Sequence, residues 1–432
     1  MQINVETELF EPSITLNSQG LAGAGSLDPT HQSLFGGFGD FHNLVADLVV
    51  LPNGNYLGVF TLRETTDFLN QFIVVRRYHD DGTLDRTFGG PGQVQATLRD
   101  DNGGSRTLNP GGIVVTPTGR IFIAATGSNP SHTTTPIVRP IIFGLTASGV
   151  LDTSFDGNGA FYPESASFPL VQGSVTNQTF VNDLVYDAST HKLTLGGTID
   201  PSHANSFFWS YTVDVNQTAF RKETFVKASG ANLRLEKLTK LPTGEMVMAG
   251  GITPASSGGL PTPYLARQLE NGLILRQGPV SIGAGAFVTG LKWDNGKIVM
   301  GGSAFPSTSG FTTQGFVARF NPDILAFDTT FGQNGVTVIS KEVRDIAFAK
   351  DNKLIAVGGD SHRILVARLL NNGQFDPSFG TNGLAFPLTN IASDSTEFAI
   401  TTEIDNKNRI LVGGIVKRPA IHDRSRLARL LS

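Results

Sequence analysis

The 432-residue chain contains no cysteine, which excludes disulfides, thiolate metal ligands and cysteine nucleophiles together. Tryptophan (2), methionine (4) and tyrosine (6) are scarce, so the 30 phenylalanines must pack the interior with valine, isoleucine and leucine. The β-branched members of that set favour strands. Charge is thin as well: 16% of residues are charged, the net is −4, and the basic residues are scattered. Without a basic stripe the electrostatic footprint of a nucleic-acid binder is missing. No run reaches membrane-spanning length, and Met1 to Phe10 lacks both the basic and the apolar region of a signal peptide. The expectation is a chain without nucleic-acid partner or membrane insertion, cytoplasmic or exported by a route without a cleavable signal. Helical capping and 3.6-residue periodicity are absent too.

What is present repeats. A turn followed by an apolar run, often closing on a glycine pair, occurs seven times. Examples are Thr243-Gly244-Glu245-Met246-Val247-Met248-Ala249-Gly250-Gly251 and Asn295-Gly296-Lys297-Ile298-Val299-Met300-Gly301-Gly302. Others run Asp351-Asn352-Lys353 into Leu354-Ile355-Ala356-Val357-Gly358-Gly359, and Asn408-Arg409 into Ile410-Leu411-Val412-Gly413-Gly414. A period of this kind belongs to radial β architectures, in which no unit buries its core alone. Each unit divides into four strand-like pieces with hairpin chemistry at the turns.

A second motif, Asp-x-Thr/Ser-Phe, usually followed by Gly, appears at Asp85 to Gly89, Asp152 to Phe155, Asp328 to Gly332 and Asp376 to Gly380. A stretched form, Leu27-Asp28-Pro29-Thr30 with Leu34-Phe35-Gly36, stands near the N-terminus. The acid and hydroxyl suit capping of nearby backbone N–H groups, and Phe88, Phe155, Phe331 and Phe379 are expected to plug the gaps between neighbouring blades. The motif is absent around Asp214 to Phe220 and Leu273 to Arg276. Together with the Asn-Gly-Lys turns and glycine pairs, it resembles the delta-60 repeat family of bacterial β-propellers, from about Gly25 onward. Kelch repeats share the glycine pair and a similar period, but their Tyr and Trp partners do not recur. The resemblance implies an all-β, seven-bladed β-propeller of four-stranded antiparallel blades. The C-terminal Arg426 to Leu431 ends where Gly25 to Pro29 could continue it, so one blade is expected to join both terminal segments and leave no open edge. Residues 1–25 then form an arm and residues 26–432 one propeller.

Alternating antiparallel strands put tight turns on one face and longer connections on the other. Variable loops on a rigid scaffold commonly carry function, which makes Asp101, Arg106, Asp200, His203, His362, Arg363 and Arg424 the candidate ligand-binding residues. His132, His203, His362 and His422 lie in such loops, yet metal ligands must converge to about 2.0–2.2 Å, so they are read as solvated side chains. Asp80-Asp81-Gly82-Thr83-Leu84-Asp85 departs from calcium-loop spacing and is read as a plain turn. Neither a metal nor a cofactor is expected.

Asp47, Asp183 and Asp345 recur with the fold, as do Arg77, Arg267, Arg319, Arg368 and Arg429. Recurrence favours satisfaction of backbone and inter-blade groups over catalysis. No phosphate loop, nucleophile elbow or zinc-protease motif is present. The leading expectation is a non-catalytic binding or scaffolding propeller for a protein or glycan, and hence no enzyme. The alternatives are a propeller glycoside hydrolase or lyase with acids at the central channel, and a structural component of a surface or extracellular assembly.

Overall fold

The computed structural model describes residues 2–6, 14–16, 23–36, 41–64, 70–99, 105–129, 137–163, 178–199, 206–216, 221–228, 230–254, 259–269, 271–306, 313–360, 362–387, 396–418 and 421–432. All regular structure among them is strand, with no helix. Three short strands come first: β1 (Gln2–Glu6), β2 (Ile14–Leu16) and β3 (Ser33–Gly36). They are followed by β4 (Phe41–Val50), β5 (Tyr56–Glu64), β6 (Gln71–Tyr78) and β7 (Gln93–Arg99). Next come β8 (Ser105–Val115), β9 (Ile121–Asn129), β10 (Ile137–Leu145) and β11 (Ala160–Phe161). Two regular sheets succeed them. One is β12 (Thr179–Asp187), β13 (Lys192–Ile199), β14 (Phe207–Asp214) and β15 (Arg221–Val226). The other is β16 (Ala231–Lys240), β17 (Met246–Pro254), β18 (Thr262–Gln268) and β19 (Ile274–Pro279). The remainder is β20 (Gly285–Asp294), β21 (Lys297–Phe305), β22 (Gln314–Asn321), β23 (Ala326–Phe327), β24 (Val336–Ile339), β25 (Glu342–Phe348), β26 (Leu354–Asp360), β27 (Arg363–Leu369), β28 (Leu384–Ala385), β29 (Thr396–Ile404), β30 (Ile410–Arg418) and β31 (Ile421–Leu430).

The chain forms two compact units. Unit one comprises residues 1–9, 66–75 and 86–280; unit two comprises residues 10–65, 76–85 and 281–432. In unit one β8 to β11 pair in sequence order, β1 runs antiparallel along β7, and the sheets β12–β15 and β16–β19 follow. Unit two holds the hairpin β4–β5, the sheets β20–β24 and β25–β28, and a sheet ordered β2–β3–β31–β30–β29. In that last sheet Leu34 pairs with Leu427, and Leu27 bridges Leu430.

One device recurs at the same step of each hairpin's first strand, a β-bulge. It falls between Val45 and Asp47, Pro110 and Gly112, Val181 and Asp183, Leu235 and Lys237, Val288 and Gly290, Val343 and Asp345, and Ala399 and Thr401. The glycine pair explains itself at this point. A Cβ on Gly197, Gly302 or Gly358 would lie 1.7, 2.0 or 2.0 Å from the carbonyl oxygen of Phe180, Phe287 or Glu342 on the strand beside it. Only glycine lets the second strand pass so close to a bulge.

The motif Asp-x-Thr/Ser-Phe does what its chemistry suggests. Phe88, Phe155, Phe331 and Phe379 are between 0% and 2% exposed. In unit two Phe331 packs among Val299, Val317, Val343 and Ile346, between the β20–β24 and β25–β28 sheets. Asp328 Oδ1 accepts from the Thr330 N–H at 3.2 Å, and its Oδ2 accepts from Arg319 Nε at 2.9 Å. Asp376 repeats this with Ser378 at 3.0 Å and Arg368 at 2.9 Å. Near the N-terminus Asp28 does so with Thr30 and, from β31, Arg429, both at 2.9 Å. Arg77, Arg319, Arg368 and Arg429 are thus partners of motif acids, whereas Arg267 pairs with Glu245 beside β17, and Arg319 continues to the Asn371 carbonyl of the next sheet at 2.5 Å.

Candidate active site

In unit two the first strands of consecutive sheets lie side by side: β20 against β25, β25 against β29, and β29 against β4. The bulge turns an acid toward the neighbouring strand. Asp345 Oδ1 accepts from its own neighbour Ile346 N–H at 2.8 Å, while Oδ2 accepts from the Thr402 N–H of β29 at 2.9 Å. Asp183 of unit one makes the equivalent pair, with Leu184 at 3.0 Å and Leu238 of β16 at 2.7 Å. These carboxylates staple a bulge to the next strand, as the repetition in sequence implied. Asp47 accepts from the Leu48 N–H at 2.9 Å and from Thr401 Oγ1 at 3.4 Å.

Two residues beyond Thr401 stands Glu403, which the repeat gives no reason to notice. The equivalent positions hold Lys292 on β20 and Ala347 on β25. The small Ala347 lets Lys292 reach across, bringing its Nζ within 4.0 Å of Glu403 Oε1. About a third of the Glu403 side chain meets solvent (34%). Burial nevertheless pushes its pKa up, Asp345 and Asp47 add to the rise, and Lys292 and the Ile404 N–H oppose it, leaving the carboxyl at about 7. Unit two therefore gathers a carboxyl that keeps its proton near neutrality and two carboxylates of the bulge positions. Its sequence signal is a departure from the repeat inside a strand and not in a loop.

The loop candidates among the described residues are His362, Arg363, Arg424 and Arg106. His362 and Arg363 are exposed at a hairpin tip, since Arg363 pairs with Asp360. The Arg363 guanidinium sits 4.6 Å over the Phe386 ring. Arg424 is inside β31, opposite Val416. The stretches from Asp360 and from Lys417, expected as long connections, are tight hairpins, because strand pairing runs on to Asp360–Arg363 and Arg418–Ile421. Arg424 is also distant from Glu403: its partner Val416 pairs with Glu397, six residues along β29, roughly 20 Å at strand rise. Arg106 is on β8, paired with Leu98. Asp101, Asp200 and His203 lie outside the described residues. Among the described residues no three His, Cys, Asp or Glu side chains are grouped to hold a metal ion.

Residues 349–379 match a β-propeller domain of unknown function, DUF5122. No curated protein matches the sequence. Among solved structures, an α-L-arabinanase of Penicillium chrysogenum is similar with a TM-score of 0.45 and 9% identity, over 75% of this chain and 92% of that one. An α-L-arabinofuranosidase of Fusarium graminearum is similar with a TM-score of 0.45 and 12% identity, over 95% and 98%. The sialidase of Trypanosoma rangeli gives 0.43 and 8%, over 77% and 57%. No residue or substrate is carried over from likenesses this distant. The expectation of a non-catalytic scaffold and no enzyme is withdrawn, because the similar structures are those of an arabinanase, an arabinofuranosidase and a sialidase. The structure belongs to the all-β propeller class.

Proposed function

We propose that the chain is a β-propeller glycoside hydrolase in which Glu403 is the proton donor. The observation that carries this reading is the Glu403 carboxyl, held at about 7 beside Asp345 and Asp47. Burial that raises a carboxyl's pKa toward the working pH suits it to act as a general acid. Glu403 gives its proton to the glycosidic oxygen as the bond from the anomeric carbon to that oxygen breaks. Asp47 and Asp345 keep their structural hydrogen bonds to Leu48, Thr401, Ile346 and Thr402, and their negative charge favours from a distance the positive charge that develops on the sugar. Water then adds to the anomeric carbon, and the proton it releases restores Glu403.

The same reading makes the seven bulged hairpins the cores of seven blades of a single propeller, with β3 supplying the outer strand beside β31. Support comes from the common bulge step and from the Leu34–Leu427 pairing. An experimental structure with another number of hairpins around the axis would overturn that count.

The activity is tested by reducing-end release from a panel of neutral and acidic polysaccharides and by aryl glycosides. Wild-type turnover should decline as pH rises through about 7, where Glu403 loses its proton. Replacement by Gln should lower kcat by roughly 10²–10⁴. A wild-type protein inactive on the whole panel, or a Glu403→Gln variant as active as wild type, would refute the assignment.

A further inference from the structure

In the sheet that holds both terminal segments the repeated motif is not stretched. Asp28-Pro29-Thr30-His31 keeps the spacing of Asp328-Thr329-Thr330-Phe331, with an imidazole where the phenyl ring stands. The backbone repeats as well. The His31 N–H donates to the Asp28 carbonyl at 3.2 Å, as the Phe331 and Phe379 N–H groups do to Asp328 and Asp376 at 3.0 and 3.1 Å. A Cβ on Gly82 would meet His31 Nε2 at 2.9 Å, just as one on Gly373 would meet the Phe331 ring at 3.0 Å. His31, 4% exposed, is therefore the plug of its junction.

An imidazole differs from a phenyl ring in that it can take a proton. Its Nε2 lies 3.0 Å from the Tyr56 hydroxyl of β5, and the ring stacks on Tyr56, which stacks in turn on Tyr78 of β6. Nδ1 is buried with no partner among the described residues. A second ring proton finds no acceptor there, and an unpaired buried donor or charge is costly. The charges around the ring are already committed. Asp28 holds Arg429 at 2.9 Å and Arg409 at 3.1 Å, and Asp80 holds both arginines and Lys407. Asp81 accepts from Thr83, and burial keeps the protons on Tyr56 and Tyr78. Burial together with Arg429 and Arg409 outweighs Asp28 and Asp80, and brings His31 down from 6.5 to about 4.

We propose that His31 is a proton-operated latch: in mild acid the imidazole takes up a proton, leaves the junction and releases residues 23–36 from β31. The contacts released are the Leu34–Leu427 pair, the Leu27–Leu430 bridge and the Asp28 hold on Arg429. The sign follows from the folded value lying below the ordinary one. His31 gives its full contribution above pH 6.5 and loses it as pH falls toward 4. The opening equilibrium therefore rises about 30-fold between pH 7.5 and 5, and approaches about 300-fold below pH 4. Burial raises the Asp28 and Asp80 carboxyls, but Thr30 or Lys407, with the arginines, bring both below 3.8, so they stay ionised through the upper part of that window. Phe331 and Phe379 carry no proton to exchange, which confines the effect to this junction. The latch is independent of Glu403 and of glycosidase activity.

The test is hydrogen exchange of the full chain, read by mass spectrometry at pH 7.5 and 5 and corrected for the intrinsic exchange rate at each. Residues 23–36 should open about 30-fold more at the lower pH, while residues 328–336, plugged by Phe331, should open equally at both. His31→Phe supplies the ring of the other sheets and should abolish the rise. His31→Gln offers Tyr56 a partner without a titrating ring and should abolish it too. Three results would overturn the proposal: equal opening of residues 23–36 at both pH values, an equal rise in residues 328–336, or persistence of the rise in whichever variant is folded. Should neither variant fold, the wild-type contrast between the two segments decides.

Discussion

The junction sealed by Phe331 and the junction between β12–β15 and β16–β19 solve one packing problem with different means. In the first, a ring that is 2% exposed is held by an acid, a hydroxyl and a guanidinium. In the second, Gln268, Ser210 and Thr224 exchange hydrogen bonds, and Asp187 pairs with Lys240. Apolar burial stabilises at about 25 cal/mol per Å², while a neutral buried hydrogen bond contributes about 1 kcal/mol net. The difference teaches that the motif's ring can be replaced: in the second junction Phe208 of β14 packs against Tyr264 of β18, ring centroids 5.7 Å apart, among Leu233, Leu235 and Met248, and the polar side chains satisfy one another beside it.

The strongest way to break this comparison is to remove the plug. Phe331→Ala and Phe379→Ala should each lower unfolding free energy by about 3–5 kcal/mol, whereas Thr212→Ala, which loses its hydrogen bond to Thr194, should cost about 1 kcal/mol; denaturant titration checks both, and equal losses would erase the distinction. Deleting residues 1–36 should destabilise nearly as much, because it removes β3 and the Asp28 partner of Arg429. Deleting residues 1–20 should shift the melting temperature far less.

Smaller effects follow from charge. Burial pushes the Asp328 and Asp376 carboxyls up, but Thr330 or Ser378, with Lys297 or Lys353 and the arginine, bring each down to about 2. A folded pKa below the unfolded 3.8 contributes stability that is present above that value and lost as pH falls toward 2. Asp328→Asn should remove roughly 1–2 kcal/mol at neutral pH and flatten part of the acid limb, as measured by melting temperature against pH. Glu403 has the opposite sign. Its folded value of about 7 exceeds the unfolded 4.5, so its contribution is full at low pH and is lost as pH rises through 7. With a third of the side chain in solvent, Glu403→Gln should gain only about 1 kcal/mol above that pH, and a loss there would contradict the burial argument.

The scaffold was legible because its physics repeats. Asp328 and Asp376, the glycine pairs and the Asn-Gly turns each recur at a fixed step, so one copy explains the rest. Asn295 and Gly296 adopt φ of 45° and 83°, the backbone that an Asn-Gly hairpin turn demands. The candidate site was not legible for the converse reason. Glu403 matters because it differs from Lys292 and Ala347 at matching positions, and its pKa depends on Asp47 and Asp345, far away in sequence. Around Arg363 and Arg424 the variation in sequence reads as long loops, but strand pairing extends almost to the hairpin tips.

The pairing of both terminal segments within one sheet has a use beyond stability. Gly25 donates to the Leu431 carbonyl at 2.8 Å, and Leu431 donates to the Ser26 carbonyl at 2.9 Å. A linker of a few residues from Ser432 to Gly23 therefore spans a distance already bridged by hydrogen bonds. The chain can be re-cut, with its old ends fused and new ones opened at Asn295-Gly296, so that translation begins in a different hairpin. Such a circular permutant should reach the same fold by another order of synthesis, which makes the hairpin that is made first a choice open to the engineer.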